Sequence, residues 1–495
     1  MTSFRSVASR RLAAALATSI FIFPAAAVAE SSATANGVSY ANKGLVAIGR
    51  IPASQRDKFG ETFGSGSGMA IDVTSWKKDG DAYRGSLWLL PDRGYNVEGT
   101  TDYNARINKI DVTLMPATGG DVAADKQQTG VQAKLADTLL LTDEQGKNMT
   151  GLDPEAGTRP ASGATPVLPF ASTGKVSLDA EAVVRLADGS FLISDEYGPY
   201  IYHFSADGKM ISATQPPKAL LPMRKGEINF SSNNVGEGGK KPDPKDPETG
   251  RQNNQGLEGM SLTPDGKYLI AVLQSATRQD GGDSSSTRDH TRALVYDASD
   301  VDHLKLAHEY VVPLPKFEGK DKKLVAAQSE ILALSDKAFL MLARDSNNGQ
   351  GLKGDTSVYR KIELVDLSGA TDIAGGEYDD VKAVAPKGVL YSAVKPATLH
   401  DFIDLNDSKE LARFGLHNGA PNDKNNLSEK WEAMSIASAL DASAPDDYFL
   451  FVANDNDFLT QDGFQVGKSY KAEGDADVDT MFQVFRVTLP GVTKR

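Results

Sequence analysis

Leu257-Glu258-Gly259-Met260-Ser261-Leu262, the turn Pro264-Asp265-Gly266 and the run Tyr268-Leu269-Ile270-Ala271-Val272-Leu273-Gln274-Ser275 decide the fold. Both apolar runs have strand length, are rich in branched residues and flank a turn, so they read as a β-hairpin whose second strand ends in polar residues. Four other segments repeat this form. They pair Gly68-Met69-Ala70-Ile71-Asp72 with Gly85 to Arg93, Ala180-Glu181-Ala182-Val183-Val184 with Ser190 to Glu196, Ser329-Glu330-Ile331-Leu332 with Phe339 to Asp345, and Trp431-Glu432-Ala433-Met434-Ser435-Ile436 with Tyr448 to Asp455. Further strands follow two of the hairpins: Thr291 to Tyr296 and His308 to Leu314 after the third, Tyr359 to Leu367 and Val381 to Val394 after the fourth. Repeated four-stranded antiparallel units predict an all-β β-propeller with five recognisable blades and room for a sixth, degenerate one between 376 and 430.

Ring closure has its own signal. Gly44 to Ile51 is a strand with no hairpin partner nearby, and Met481 to Val487 is a late strand after the last unit. Adding the N-terminal strand to the C-terminal sheet would seal the ring and remove exposed sheet edges. The expected organisation is a signal peptide over 1–29, a short segment over 30–39 and a single propeller domain over 40–495, with loop insertions near 153–172, 231–255 and 279–290. Asp407-Ser408-Lys409-Glu410 has the form of a capping box and predicts one or two helical turns up to Phe414.

The signal peptide rests on Arg5, Arg10 and Arg11 ahead of the apolar run Leu12 to Phe23, then Pro24 and the small-residue end Ala27-Val28-Ala29. That run is too short for an ordinary membrane span and no later segment approaches 18 apolar residues, so an exported protein, periplasmic or extracellular, with no integral membrane span is expected. Without that leader 50 basic and 66 acidic residues remain, a formal charge of −16. Such a chain offers no basic stripe to nucleic acid. A small phosphorylated or otherwise anionic substrate stays open, because local arginines or a bound cation can reverse the field in one cleft. The absence of cysteine excludes thiol catalysis, zinc-thiolate and iron–sulfur sites, and disulfides.

Glu181, Glu258, Glu330 and Glu432 occupy equivalent starts of the inner strands, so in a propeller their carboxylates would converge on one mouth of the ring. The plain alternative is that each ends a strand on backbone amides or a lysine. The neighbouring strands end in Asp92-Arg93, Asp195-Glu196, Gln274-Ser275, Arg344-Asp345-Ser346-Asn347 and Asn454-Asp455-Asn456-Asp457. Antiparallel pairing returns these groups to the same end. Asp92, Glu181, Asp195, Glu258, Glu330, Asp345, Glu432, Asn454, Asp455 and Asp457 form a set of hard oxygen donors poor in imidazole, which fits calcium better than zinc. The six histidines are scattered and make no HExxH pattern; His203 reads as a sheet residue. Arg93 and Arg344 sit among the acids with forked donors suited to phosphate or carboxylate, or to supporting the acid ring as ion pairs. Tyr95, Tyr197 and Tyr200 flank the clusters, either closing a substrate pocket or packing loops. Nucleophile-elbow, P-loop and dinucleotide fingerprints are all missing from the sequence.

The succession Pro91-Asp92-Arg93-Gly94-Tyr95-Asn96, Glu181 with Ser194-Asp195-Glu196-Tyr197-Gly198-Pro199-Tyr200, Leu257-Glu258-Gly259-Met260 with Gln274-Ser275, Arg344-Asp345-Ser346-Asn347, and Trp431-Glu432-Ala433-Met434 with Asn454-Asp455-Asn456-Asp457 resembles the bacterial phytase-like family described as having esterase-like activity of phytase. The resemblance spans about 44 to 490 and implies an exported propeller-like protein with phosphoesterase activity. What the resemblance implies, joined to the oxygen-rich residue set, is calcium-dependent hydrolysis of a phosphomonoester by metal-activated water, with the residue roles assigned from the residues themselves. Arg93 or Arg344 would stabilise charge, and one of Asp195, Glu196 and Asp455 would accept a proton. A calcium-stabilised ligand-binding or envelope scaffold and a lactonase-like hydrolase are the competing readings; a monomer is expected in each.

Overall fold

The structure, a computed structural model, describes residues 1–2, 31–475 and 477–492. Apart from its first two residues, the expected signal peptide lies outside the described residues. The fold is a β-propeller of five four-stranded antiparallel blades. Blade one comprises Gly68–Asp79, Ala82–Leu90, Arg106–Leu114 and Val131–Leu140, and blade two Ala180–Arg185, Phe191–Asp195, Ile201–Phe204 and Met210–Thr214. Blade three comprises Leu257–Leu262, Tyr268–Leu273, His290–Asp297 and Lys305–Pro313, and blade four Ala327–Ala333, Ala338–Arg344, Arg360–Asp366 and Thr398–Asp404. Blade five takes Lys430–Ser438, Asp447–Asp455 and Thr480–Thr488 from the C-terminal part of the chain and Val38–Ile51 from the N-terminal part.

The alternation of side chains along each strand explains why these runs are apolar on both faces. In the second strand of blade three, Leu269, Ala271 and Leu273 pack toward blade two, while Ile270 and Val272 pack toward blade four. Each gap between neighbouring blades is filled by such a layer, including the gap between blades five and one, where Val46, Phe449 and Phe451 meet Ile71, Leu87 and Ile110. The five inner strands touch in the order one, two, three, four, five, one. A ring of five is therefore complete. Residues 376–430 add the outer strand of blade four and a short helix, not a sixth blade.

Closure follows the expected route. Val38–Ile51 pairs antiparallel with Thr480–Thr488, from Ala41 opposite Thr488 to Ile51 opposite Thr480. The same strand meets blade one through a single parallel bridge, Gly49 to Val131, and a Cβ on Gly49 would fall 2.2 Å from the Val131 carbonyl oxygen. Only glycine allows that approach. Ser31–Ala35 folds back on Val38–Asn42 as a hairpin strand.

The outer strand of blade four differs from the sequence reading. It is Thr398–Asp404, whereas 381–394 forms turns and a short 3-10 segment. That stretch is pinned instead by buried Asp280, which accepts the N–H groups of Val384 and Ala385 at 2.7 and 3.2 Å. The helix at Ser408–Arg413 forms as expected, capped by Asp407, which accepts from the amides of Lys409 and Glu410. Among the described residues, no helix is long and apolar enough to cross a membrane.

Candidate active site at the acidic mouth of the ring

The inner strands carry a local irregularity that aims their first side chains. In blade three the register jumps from Leu257 opposite Leu273 to Gly259 opposite Val272, which leaves Glu258 unpaired in a β-bulge. Blade five repeats this with Glu432, and in blade two Glu181 and Ala182 together face Ser194. A bulge redirects the side chain it displaces. Blade four carries its bulge at Ser329, so Glu330 stands one residue farther on. Glu330 accordingly turns away from the other three and accepts the N–H groups of Met260 and Ile331 at 3.1 and 2.8 Å. Close packing of the rim uses Gly68, where a Cβ would lie 2.3 Å from the Glu181 carbonyl oxygen.

Glu181, Glu258 and Glu432 line a cavity of about 240 Å³ together with Asp92, Arg93, Asn96, Glu196, Asn254, Gln274, Arg344, Lys430 and Asp457. Two groups of carboxylates, each combining lining residues with one buried neighbour, could hold a metal ion: Asp92 and Asp457 with Asp455, and Glu181 and Glu196 with Asp179, each with ligand atoms within 4.8 Å of one another. Three bases are interleaved with them. Arg93 Nη1 donates to Asp179 Oδ2 at 2.6 Å and lies 4.0 Å from Glu196 Oε2. Arg344 Nη2 donates to Glu432. Lys430 Nζ contacts Asp455 at 2.9 Å, Asp457 at 2.8 Å and Glu432 at 3.5 Å.

Burial is the main electrostatic fact of this cavity. It pushes the carboxyls of Asp92, Glu181 and Glu258 well above the usual range; repulsion from Asp455, from Glu258 and from Glu196, respectively, adds to the effect. Burial also lifts Asp179 to about 7, against the pull of Arg93, and Asp455 to about 6, against that of Lys430. Lys430 shows the opposite balance: burial disfavours its charge, but Asp455 and Asp457 outweigh that and hold its pKa well above the ordinary value. Several oxygens remain unused. Glu258 takes a hydrogen bond from Gln274 on Oε1 at 2.7 Å, while its Oε2, Glu196 Oε1 and Asp179 Oδ1 are buried without a partner.

Other sequence candidates have different surroundings. Asp195 accepts the N–H groups of Asp179, Tyr197 and Gly198 at 2.9–3.0 Å, and Asp345 those of Asn347, Val358 and Tyr359. Asn454 accepts from the amide of Met481 and donates to the Asp455 and Asp479 carbonyls. These three organise turns at the rim. Tyr197 and Tyr200 are buried with their hydroxyls on the carbonyls of Gly151 and Val167, and Tyr95 stacks on Tyr470 with ring centroids 4.1 Å apart. None of the three tyrosines lines the cavity. His203, bonded to Asp302 and Ser190, is the sheet residue it was expected to be. Asp179 and Lys430 were not among the sequence candidates, although each stands within two residues of an inner-strand glutamate.

With this geometry in view, residues 63–458 match the phytase-like family described as having the esterase-like activity of phytase. This chain belongs to that family. The phytase-like chain is also 39 % identical over 455 residues to an uncharacterized secreted protein of Arthroderma benhamiae, in an alignment covering 86 % of this chain and 88 % of the other. Among solved structures, a luciferin-regenerating enzyme aligns over 90 % of this phytase-like chain and 96 % of its own at 10 % identity and a TM-score of 0.27. A catalytically inactive virginiamycin B lyase from Staphylococcus aureus aligns over 90 % and 99 % at the same identity and TM-score. Likenesses at that level carry no argument about this protein.

Proposed function

We propose that the protein is an exported, monomeric hydrolase of small phosphorylated or otherwise anionic esters, acting on phosphomonoesters in the acidic cavity with calcium bound. The observation that carries this reading is the cavity itself: buried bases set among carboxylates, lined by Glu258 and Glu196, each with an unpartnered oxygen, and adjoined by Asp179 with another. Donors that are all oxygen fit calcium, which takes six to eight such ligands. Asp92, Asp455 and Asp457, or Asp179, Glu181 and Glu196, would hold it, with Glu258 adjoining. Bound there, the ion would supply neutralisation of phosphoryl charge and a water acidified for attack.

Arg93 keeps a buried Nε without a partner, so it can add a donor to the reacting phosphoryl oxygen without breaking an existing pair. With the ion on Asp179, Glu181 and Glu196, Asp455, with its pKa near 6, is left to accept a proton at neutral pH. The burial of Arg93, Glu181, Glu196, Glu258 and Glu432 strengthens these interactions. Export is supported by the Arg-led apolar run that ends in Ala27-Val28-Ala29, and by the description of the Arthroderma relative as secreted.

The test is hydrolysis measured with metal-free and calcium-loaded mature protein: phosphate release from phytate and simple phosphomonoesters, monoester release from phosphodiesters, and hydroxy-acid release from lactones. Calcium-dependent release that disappears in a correctly folded Arg93→Ala variant is the expected result. Binding of calcium without product from any of these esters would overturn the hydrolase and favour a scaffold.

A further inference from the structure

At the cavity wall and one strand farther from the axis, two arginines stand opposite each other. Arg344 ends the second strand of blade four, Arg360 begins the third, and the two are register partners. Cross-strand partners share a sheet face. Arg344 reaches Glu432 of blade five, so this face looks into the gap between blades four and five. Arg360 is 0 % exposed, and its Nε, Nη1 and Nη2 all lack a hydrogen-bond partner. Its nearest acids, Asp345 and Glu429, act on it only through space. Arg288, from the loop of blade three, lies within charge range of Arg344 with its own Nε buried and unpartnered, and Ser428 Oγ is buried without a partner beside Glu429. A guanidinium cannot shed its proton, and a buried charge without an acceptor is strongly disfavoured. Such a guanidinium calls for an acceptor with several oxygens.

We propose that Arg344 and Arg360, with Arg288 alongside, form a subsite for a phosphoryl oxyanion between blades four and five. The free fork of Arg360 and the unpartnered Nε of Arg344, whose two terminal nitrogens are held by Asp345 and Glu432, match the oxygens of a phosphoryl group better than a single-atom anion. The inference rests on the reading of the cavity as a site for anionic esters and extends it. Arg344 lines the cavity and Arg360 lies behind it, so the subsite takes a second phosphoryl group of the substrate, or released phosphate, beside the reacting one.

Calorimetric titration of the mature protein with inorganic phosphate, in chloride-free buffer, tests this. One phosphate per chain whose binding depends on Arg360 is expected, its affinity falling at least tenfold in Arg360→Gln and less in Arg360→Lys, which keeps the charge but loses the fork. If the Gln variant does not fold, the Lys variant carries the comparison. Parallel titration with phytate separates a substrate phosphoryl group, which would bind more tightly than free phosphate, from a product site, which would not. No phosphate binding by the wild type, unchanged affinity in a folded Arg360 variant, or tighter binding of chloride than of phosphate would overturn the subsite. Ester turnover is scored separately. Phosphate binding lost in Arg360→Gln with no turnover by the wild type keeps the subsite and removes the hydrolase, whereas turnover with Arg360-independent phosphate binding does the reverse.

Discussion

Replacing Glu258 by Gln removes one charge from the centre of the cavity while preserving its size and its hydrogen bond to Gln274. Eight carboxyls, those of Asp92, Asp179, Glu181, Glu196, Glu258, Glu432, Asp455 and Asp457, surround Arg93, Arg344 and Lys430, an excess of five negative charges when all are ionised. Burial, then Glu196 and Glu432, push the Glu258 carboxyl up, so its ionised form weakens the metal-free fold. A cation bound only by the folded state reverses this, by about 2.7 kcal/mol at a concentration one hundred times its Kd. At roughly 2.1 cal/mol/K per residue, about 460 residues give an unfolding entropy near 1 kcal/mol/K, so the expected rise in Tm is ~3 °C. The assay is thermal unfolding at pH 8 during calcium titration of chelator-treated protein, with magnesium giving the smaller response. Glu258→Gln should have a metal-free Tm no lower than the wild type and a calcium response below ~1 °C. A variant that loses stability without metal yet keeps the full calcium response would refute the reasoning and make Glu258 a member of an ion-pair network with Arg344 and Lys430.

Three further outcomes are expected. Burial raises the Glu330 carboxyl well above its ordinary value, so its contribution is complete below the unfolded pKa of about 4.3 and is lost as pH rises through the folded value. Urea unfolding between pH 5 and 8 should therefore show a steeper loss of stability for the wild type than for Glu330→Gln, and equal slopes would count against this. Arg106 is buried over the Tyr103 ring at 4.1 Å and bonded to Asp57 and Glu61. Arg106→Met, by stranding those acids, should cost roughly 3–5 kcal/mol in chemical unfolding, and a cost below ~1 kcal/mol would show the pairing to be dispensable. Limited proteolysis within 236–248 should nick the chain without separating it, because Arg251 and Asp153 anchor both flanks of that loop through Phe230 and Ser232; release of two stable folded halves would refute a single ring domain.

Strand periodicity and turn chemistry by themselves determined the repeated hairpins, the all-β class and the use of the N-terminal strand to close the ring. These are local signals: apolar runs such as Tyr268 to Leu273 are bounded by their own turns, and an orphan strand at each end of the chain leaves one pairing to make. The convergence of Glu181, Glu258 and Glu432 was legible for the same reason, since equivalent positions in equivalent blades reach one rim. Register was not. The one-residue displacement of the blade-four bulge from Glu330 to Ser329 changes nothing in the apolar pattern, yet it turns a carboxylate from the cavity to the backbone of the neighbouring strand. The outer strand of blade four was likewise misplaced, because Asp280, more than one hundred residues away in sequence, holds 384–385 out of the sheet. Pairings such as Lys430 with Asp455, Arg93 with Asp179 and Arg344 beside Arg360 were decided only when the ring brought strands from different parts of the chain together. A charge has no periodicity of its own. Its partner is whichever group the packed blades place within a few ångströms.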